Sequence, residues 1–147
     1  MTLDYLIIGA GPAGLQLAAI LEADGNRDYL VLESFAAFEA FLRRPGPWIG
    51  GFDFPFSLPR ELVRELAWPR SWRGLVSYCA SLTRVELRST LDAYRALRPA
   101  GRKYAHRATD LPAGSSSPMK LVNPPVALMF HEGARRLLAA GVDIPLL

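Results

Sequence analysis

A chain of 147 residues, half of them apolar, is long enough for one domain with a real core, and one domain is the expectation. The formal net charge of +3 is uneven, with six acids against Arg27 alone in residues 1–40 and eight acids against sixteen bases in the remainder, yet the arginines are scattered without an aromatic-interleaved basic stripe, so no nucleic-acid partner is expected. The lone Cys79 excludes a disulfide framework, a thiolate metal cluster and a C-x-x-C redox pair. No metal site is expected, and with no uninterrupted apolar span of about 20 residues and no basic leader the expectation is a soluble, cytoplasmic protein off the membrane.

Tyr5–Ile8 is a short apolar run suited to a buried strand, and Gly9, Gly11 and Gly14 follow it in the G-x-G-x-x-G spacing. Gly11 is the glycine the chemistry needs most, because a Cβ there would keep the backbone away from a pyrophosphate. A helix over roughly Pro12 to Ala23 would turn its N-terminal amides and dipole toward those phosphates. Gly25 and Asn26 supply a turn, Tyr29–Leu32 reads as a second buried strand, and Glu33 stands about 20 residues beyond the glycines, where an acid meets a ribose. The Glu33 carboxylate accepts both ribose hydroxyls and repels a 2′-phosphate. Ser34, which follows it, offers no compensating positive charge, so NADP is disfavoured. The pattern predicts an α/β fold: a Rossmann-type βαβ at residues 3–34 inside an incomplete doubly wound domain with an irregular remainder.

The wording GAGPAGLQLA, closing in LVLE, is similar to the first motif of FAD-dependent oxidoreductases of the flavin monooxygenase-like and pyridine nucleotide-disulfide oxidoreductase superfamily. The resemblance implies FAD as cofactor, with NAD the second choice. It places Gly9, Ala10, Gly11, Pro12, Ala13 and Gly14 along the pyrophosphate, with Glu33 and the adjoining Ser34 at the ribose. It further implies a flavin-dependent oxidoreductase whose full-length members take hydride from NAD(P)H at a second glycine motif. In such monooxygenases a Gly-Gly near a tryptophan packs by the flavin, and Trp48, Gly50 and Gly51 are the similar residues here. The disulfide-reductase branch is excluded by the single cysteine. Three further family features are not visible in residues 35–147: the second glycine motif, an Ala-Thr-Gly strand turn and a Gly-Asp segment for the ribityl chain.

Beyond Glu33, Ser34 is placed to cap a short helix to Arg44, in which Phe35, Phe38 and Leu42 recur at helical spacing. The Pro-, Gly- and aromatic-rich stretch 45–59 reads as a loop with buried anchors. Pro59–Ala67 predicts a helix with Ser57 near its cap, and its Glu61 and Glu65 read as an ion-pair face with neighbouring arginines rather than as catalytic carboxylates. Trp68 to Tyr78 reads as irregular, broken by Pro69 and Gly74. Thr83–Arg88 alternates like an edge strand, and Thr90–Arg98 like a helix stopped by Pro99 and Gly101. His106 reads as an exposed residue without a metal-ligand neighbour. Residues 111–118, LPAGSSSP, have linker composition. Residues 119–147 read as strand, helix and strand, with Val126–Phe130 the first strand and Gly141 the helix stop; His131 and Glu132 are not expected to face each other.

Three readings follow from this pattern: the ADP-holding portion of a flavin-dependent oxidoreductase, a non-catalytic dinucleotide-binding module, or a truncated or frame-shifted remnant whose sequence past about Arg44 lacks periodicity. The chain is shorter than complete activity of the resembled class needs, and no catalytic side chain is nominated.

Overall fold

All six regular elements among the described residues are helices: α1 (Pro12–Ala23), α2 (Phe35–Leu42), α3 (Arg60–Glu65), α4 (Trp72–Ser81), α5 (Arg84–Ala96) and α6 (Val126–Ala140). The computed structural model describes residues 12–25, 32 and 34–144. The α/β expectation is therefore corrected, because no strand occurs among these residues. Tyr5–Ile8 and most of Tyr29–Leu32 lie outside them, and Leu32 belongs to no regular element.

Two of the expected strands are helical for identifiable reasons. At Thr83–Arg88, the Thr83 hydroxyl accepts the Glu86 N–H at 3.2 Å while the Glu86 carboxylate accepts the Thr83 N–H at 2.7 Å. This capping box starts α5, and it outweighs the two-residue alternation of Val85 and Leu87. Leu87, Leu91 and Tyr94 then fall on one buried face, at the i, i+4, i+7 spacing of a helix. At Val126–Phe130, Ala127, Leu128 and Met129 are good helix formers, and a short apolar run carries no period of its own. Buried Ala127, Phe130, Ala134 and Leu137 continue as one stripe of α6. The expected stop is in place: Gly141 adopts φ +68, its N–H donates to the Leu138 carbonyl at 3.1 Å, and the Val142 N–H donates to the Leu137 carbonyl at 3.2 Å.

The segment read as irregular contains α4. The Ser71 hydroxyl caps it by accepting the Gly74 N–H at 3.2 Å. A Cβ at Gly74 would lie 2.8 Å from that hydroxyl and 2.9 Å from Pro69 Cβ, so this glycine fits a crowded first turn rather than breaking a helix.

The chain divides into two units, Met1–Phe52 and Asp53–Leu147. In the first, α1 covers the predicted Pro12–Ala23, with proline at the first helical position, where its missing N–H is not needed. Ser34 caps α2 through the Ala37 N–H at 3.1 Å, and α2 buries Phe38 and Leu42 while Phe35 stays exposed. The Phe52 ring lies 6.2 Å from Phe38.

In the second unit α4 packs on α6, and Leu62, Leu75, Val76, Leu87, Leu91 and Phe130 are among the buried core residues. Trp68 is buried against the Tyr78 ring, and the Trp72 indole N–H donates to the Phe56 carbonyl at 2.7 Å. Gly133 sits where the Phe54 ring crosses α6, since a Cβ there would lie 2.6 Å from the ring. The linker-like residues 111–118 lie within this unit. There the Ser117 hydroxyl donates to the Ala105 carbonyl at 2.6 Å and accepts the Met119 N–H at 3.1 Å, with Pro118 and Met119 buried. No helix among the described residues is long and apolar enough to cross a membrane.

Candidate dinucleotide site

The residues singled out for a dinucleotide fall only partly within the described structure. Gly9, Ala10, Gly11 and Glu33 lie outside it, whereas Pro12, Ala13 and Gly14 form the opening turn of α1. The first N–H groups of any α-helix have no acceptor within it, and Pro12 has no N–H, so Ala13 and Gly14 carry the amides left over at this end. With the helix dipole behind them, such amides favour an anion. The far end of α1 closes at Gly25, which adopts φ +80 and donates its N–H to the Glu22 carbonyl at 3.0 Å. That is the left-handed turn expected of a glycine there.

Ser34 has a structural task. Its hydroxyl oxygen is engaged as the cap of α2, which leaves the hydroxyl proton as its donor toward a ligand. Trp48 and Gly50 are brought together, because a Cβ on Gly50 would meet the Trp48 ring at 2.9 Å and the Phe52 ring at 3.0 Å. Gly51, by contrast, faces open space.

The carboxylate pairs elsewhere are engaged. Glu61 and Glu65 form the expected ion-pair face, but their cation is Arg98 rather than a neighbour on α3. The Arg98 Nη1 donates to Glu61 at 2.9 Å and to the Tyr94 hydroxyl at 2.6 Å, and that hydroxyl donates to Glu65 at 2.8 Å. Burial and the Glu65 carboxylate push the Tyr94 phenol up to about 12. His131 and Glu132 approach to 3.7 Å, closer than their adjacency on a helix suggested. Even so, His131 is buried with its Nε2 against the Leu82 carbonyl at 2.9 Å, and Glu132 is held by Arg135 and Arg136. Both pairs are committed to structural partners, although Glu61 and Glu65 remain part-exposed. Burial raises the Cys79 thiol to about 12, which makes it a core side chain rather than a nucleophile. Among the described residues no group of three or more His, Cys, Asp or Glu is placed to hold a metal ion.

No family model matches the chain, and no solved structure does. The chain is similar to the FAD-dependent oxidoreductase domain-containing protein 2 of Mus musculus, with 54% identity over 41 residues. Those residues are 28% of this chain and 6% of that protein, so the chain spans only a small share of the relative's length. Over that short stretch the chain is linked to FAD-dependent oxidoreductases.

Proposed function

We propose that the chain binds FAD through its N-terminal segment and holds the ADP half of the cofactor, as the FAD-binding portion of a flavin-dependent, monooxygenase-like oxidoreductase. The observation that carries this reading is the start of α1 at Pro12, immediately after Gly11 of the G-x-G-x-x-G run. A helix starting there has the amides of Ala13 and Gly14 free at its N-terminus, which supports an anion-binding role for this segment. The name of the mouse relative favours FAD over NAD as the dinucleotide.

In this reading Gly9, Ala10, Gly11, Pro12, Ala13 and Gly14 line the pyrophosphate, Glu33 accepts the ribose hydroxyls and Ser34 donates beside it. FAD supplies the redox chemistry when bound; the protein's part is to bind and orient it. Reduction by NAD(P)H belongs to a longer protein carrying the second nucleotide site.

The test is a parallel titration of the purified chain with FAD, NAD and ADP, with the visible spectrum recorded. FAD is expected to bind. Gly11→Val should abolish binding by intruding on the pyrophosphate, and Glu33→Ala should weaken it by roughly ten- to a hundredfold through loss of charge-assisted hydrogen bonds. Unchanged FAD affinity in both variants overturns the assignment.

A further inference from the structure

The second unit carries a cleft that the dinucleotide reading does not use. It has a volume of about 780 Å³ and is lined by Glu61, Arg98, Gly101, Arg102, Lys103, Tyr104, His106 and Leu111. We propose that this cleft binds a phosphate-bearing small molecule, with Arg102 and Lys103 as the main contacts to the phosphate.

The sign of the cleft follows from which charges are already engaged. Glu61, the only carboxylate lining it, shares Arg98 with Glu65, at 2.9 and 3.4 Å, so Arg102 and Lys103 together leave this group of five charges with a positive balance. Asp110, next to His106, is fully buried and saturated by Arg107, whose Nη2 stands 2.7 Å from it. Arg102 and Lys103 are exposed and have no ion-pair partner among the described residues. An anion entering the cleft therefore meets two free cations and a single carboxylate that already holds a cation.

The backbone fixes where these cations stand. The Arg102 N–H donates to the Pro99 carbonyl at 3.0 Å and Gly101 adopts φ +80, the glycine position of a type II turn. Arg98 locks the turn from inside, its Nε donating to the Arg102 carbonyl at 2.7 Å. Arg102 thus stands at the turn's last position with Lys103 directly after it. A guanidinium fork beside an ammonium matches the several acceptor oxygens of a phosphate better than the two of a carboxylate.

The remaining wall selects what the phosphate is attached to. Tyr104 is half-buried with its ring under the Arg95 guanidinium at 4.9 Å, and Leu111, which also lines the cleft, is exposed. A fixed aromatic ring next to free cations suits an organic phosphate with a planar group, such as a nucleoside monophosphate, over the inorganic ion. The volume lies in the range of small-molecule sites, about 300–1,000 Å³.

The experiment uses the full chain and the imidazole NMR signals of its two histidines. His106 lines the cleft and His131 is buried in the core, so His106 reports occupancy and His131 reports folding. Titrations with AMP, inorganic phosphate and adenosine should give a saturable His106 shift with AMP, a weaker one with phosphate and none with adenosine. Arg102→Ala/Lys103→Ala, at two exposed positions, should weaken AMP by about tenfold or more with His131 unmoved. Gly11→Val should leave the His106 response intact, so failure of the FAD reading and failure of this one are separable. The proposal is overturned by absence of a saturable His106 shift, by a response that survives the double substitution, or by affinity that grows with the length of a single-stranded oligonucleotide.

Discussion

Asp110 is a carboxylate with no exposure to solvent, held by Arg107. It lies in a polar segment yet is fully buried, accepting the Arg107 backbone N–H at 2.6 Å and the Arg107 Nε at 2.8 Å. Burial alone would raise its carboxyl, but the hydrogen bonds and charge of Arg107, with the Ser115 hydroxyl, outweigh it and hold the group below the usual carboxylate range. Glu132 is lowered in the same way, burial being overcome by Arg136 and Arg135. Because both folded values lie below the unfolded ones, their stabilisation is present above about pH 4 and is lost as pH falls through the folded values. Asp110→Asn is predicted to cost about 1–3 kcal/mol at neutral pH and to flatten the fall in stability below pH 4. Urea unfolding of both proteins at pH 7 and pH 3 checks this; an unchanged acid slope would remove Asp110 from the account.

At the scale of the element, two helix ends use the same closing bonds with different residues. α6 ends on Gly141, whereas α3 ends with Ala67 at φ +52, the Ala67 N–H donating to the Arg64 carbonyl at 3.2 Å and the Trp68 N–H to the Val63 carbonyl at 2.9 Å. A left-handed alanine costs roughly 1–2 kcal/mol that glycine does not, and glycine loses about 0.4–1 kcal/mol in the unfolded chain. Ala67→Gly is therefore predicted to stabilise by about 0.5–1 kcal/mol, read as a higher urea midpoint at constant slope. A lower midpoint would mean that the Ala67 methyl contributes packing its exposed position does not suggest. The start of α5 carries a related lesson. The spacing Thr83-x-x-Glu86 is a helix-start signature present in the sequence, but the alternation of Val85 and Leu87 across it imitates a strand.

At the scale of the whole molecule, residues 53–144 build a hydrophobic core of their own, so ligand linkage should be local to the unit that binds. On the proposed reading, FAD at a hundredfold over its dissociation constant would stabilise the unit that holds it by about 2.7 kcal/mol. Amide exchange in α1 and α2 is predicted to slow on FAD addition while the core amides of α4 and α6 stay unchanged; slowing confined to α4 and α6 would place FAD in the second unit. By itself the sequence determined what depends on near neighbours: α1 from Pro12 to Ala23, the Ser34 cap, the turn at Gly25 and the stop at Gly141. Caps, left-handed glycines and helix starts are set within a few residues, so their signals survive without the fold. Only the tertiary structure decided that the apolar runs at 83–88 and 126–130 are helical. A short apolar run satisfies either period until the surface it packs against selects one. It alone also brought Arg98 to Glu61 from 37 positions away and buried Asp110. Charge pairing over such separations is governed by which helices pack, and no local pattern encodes it.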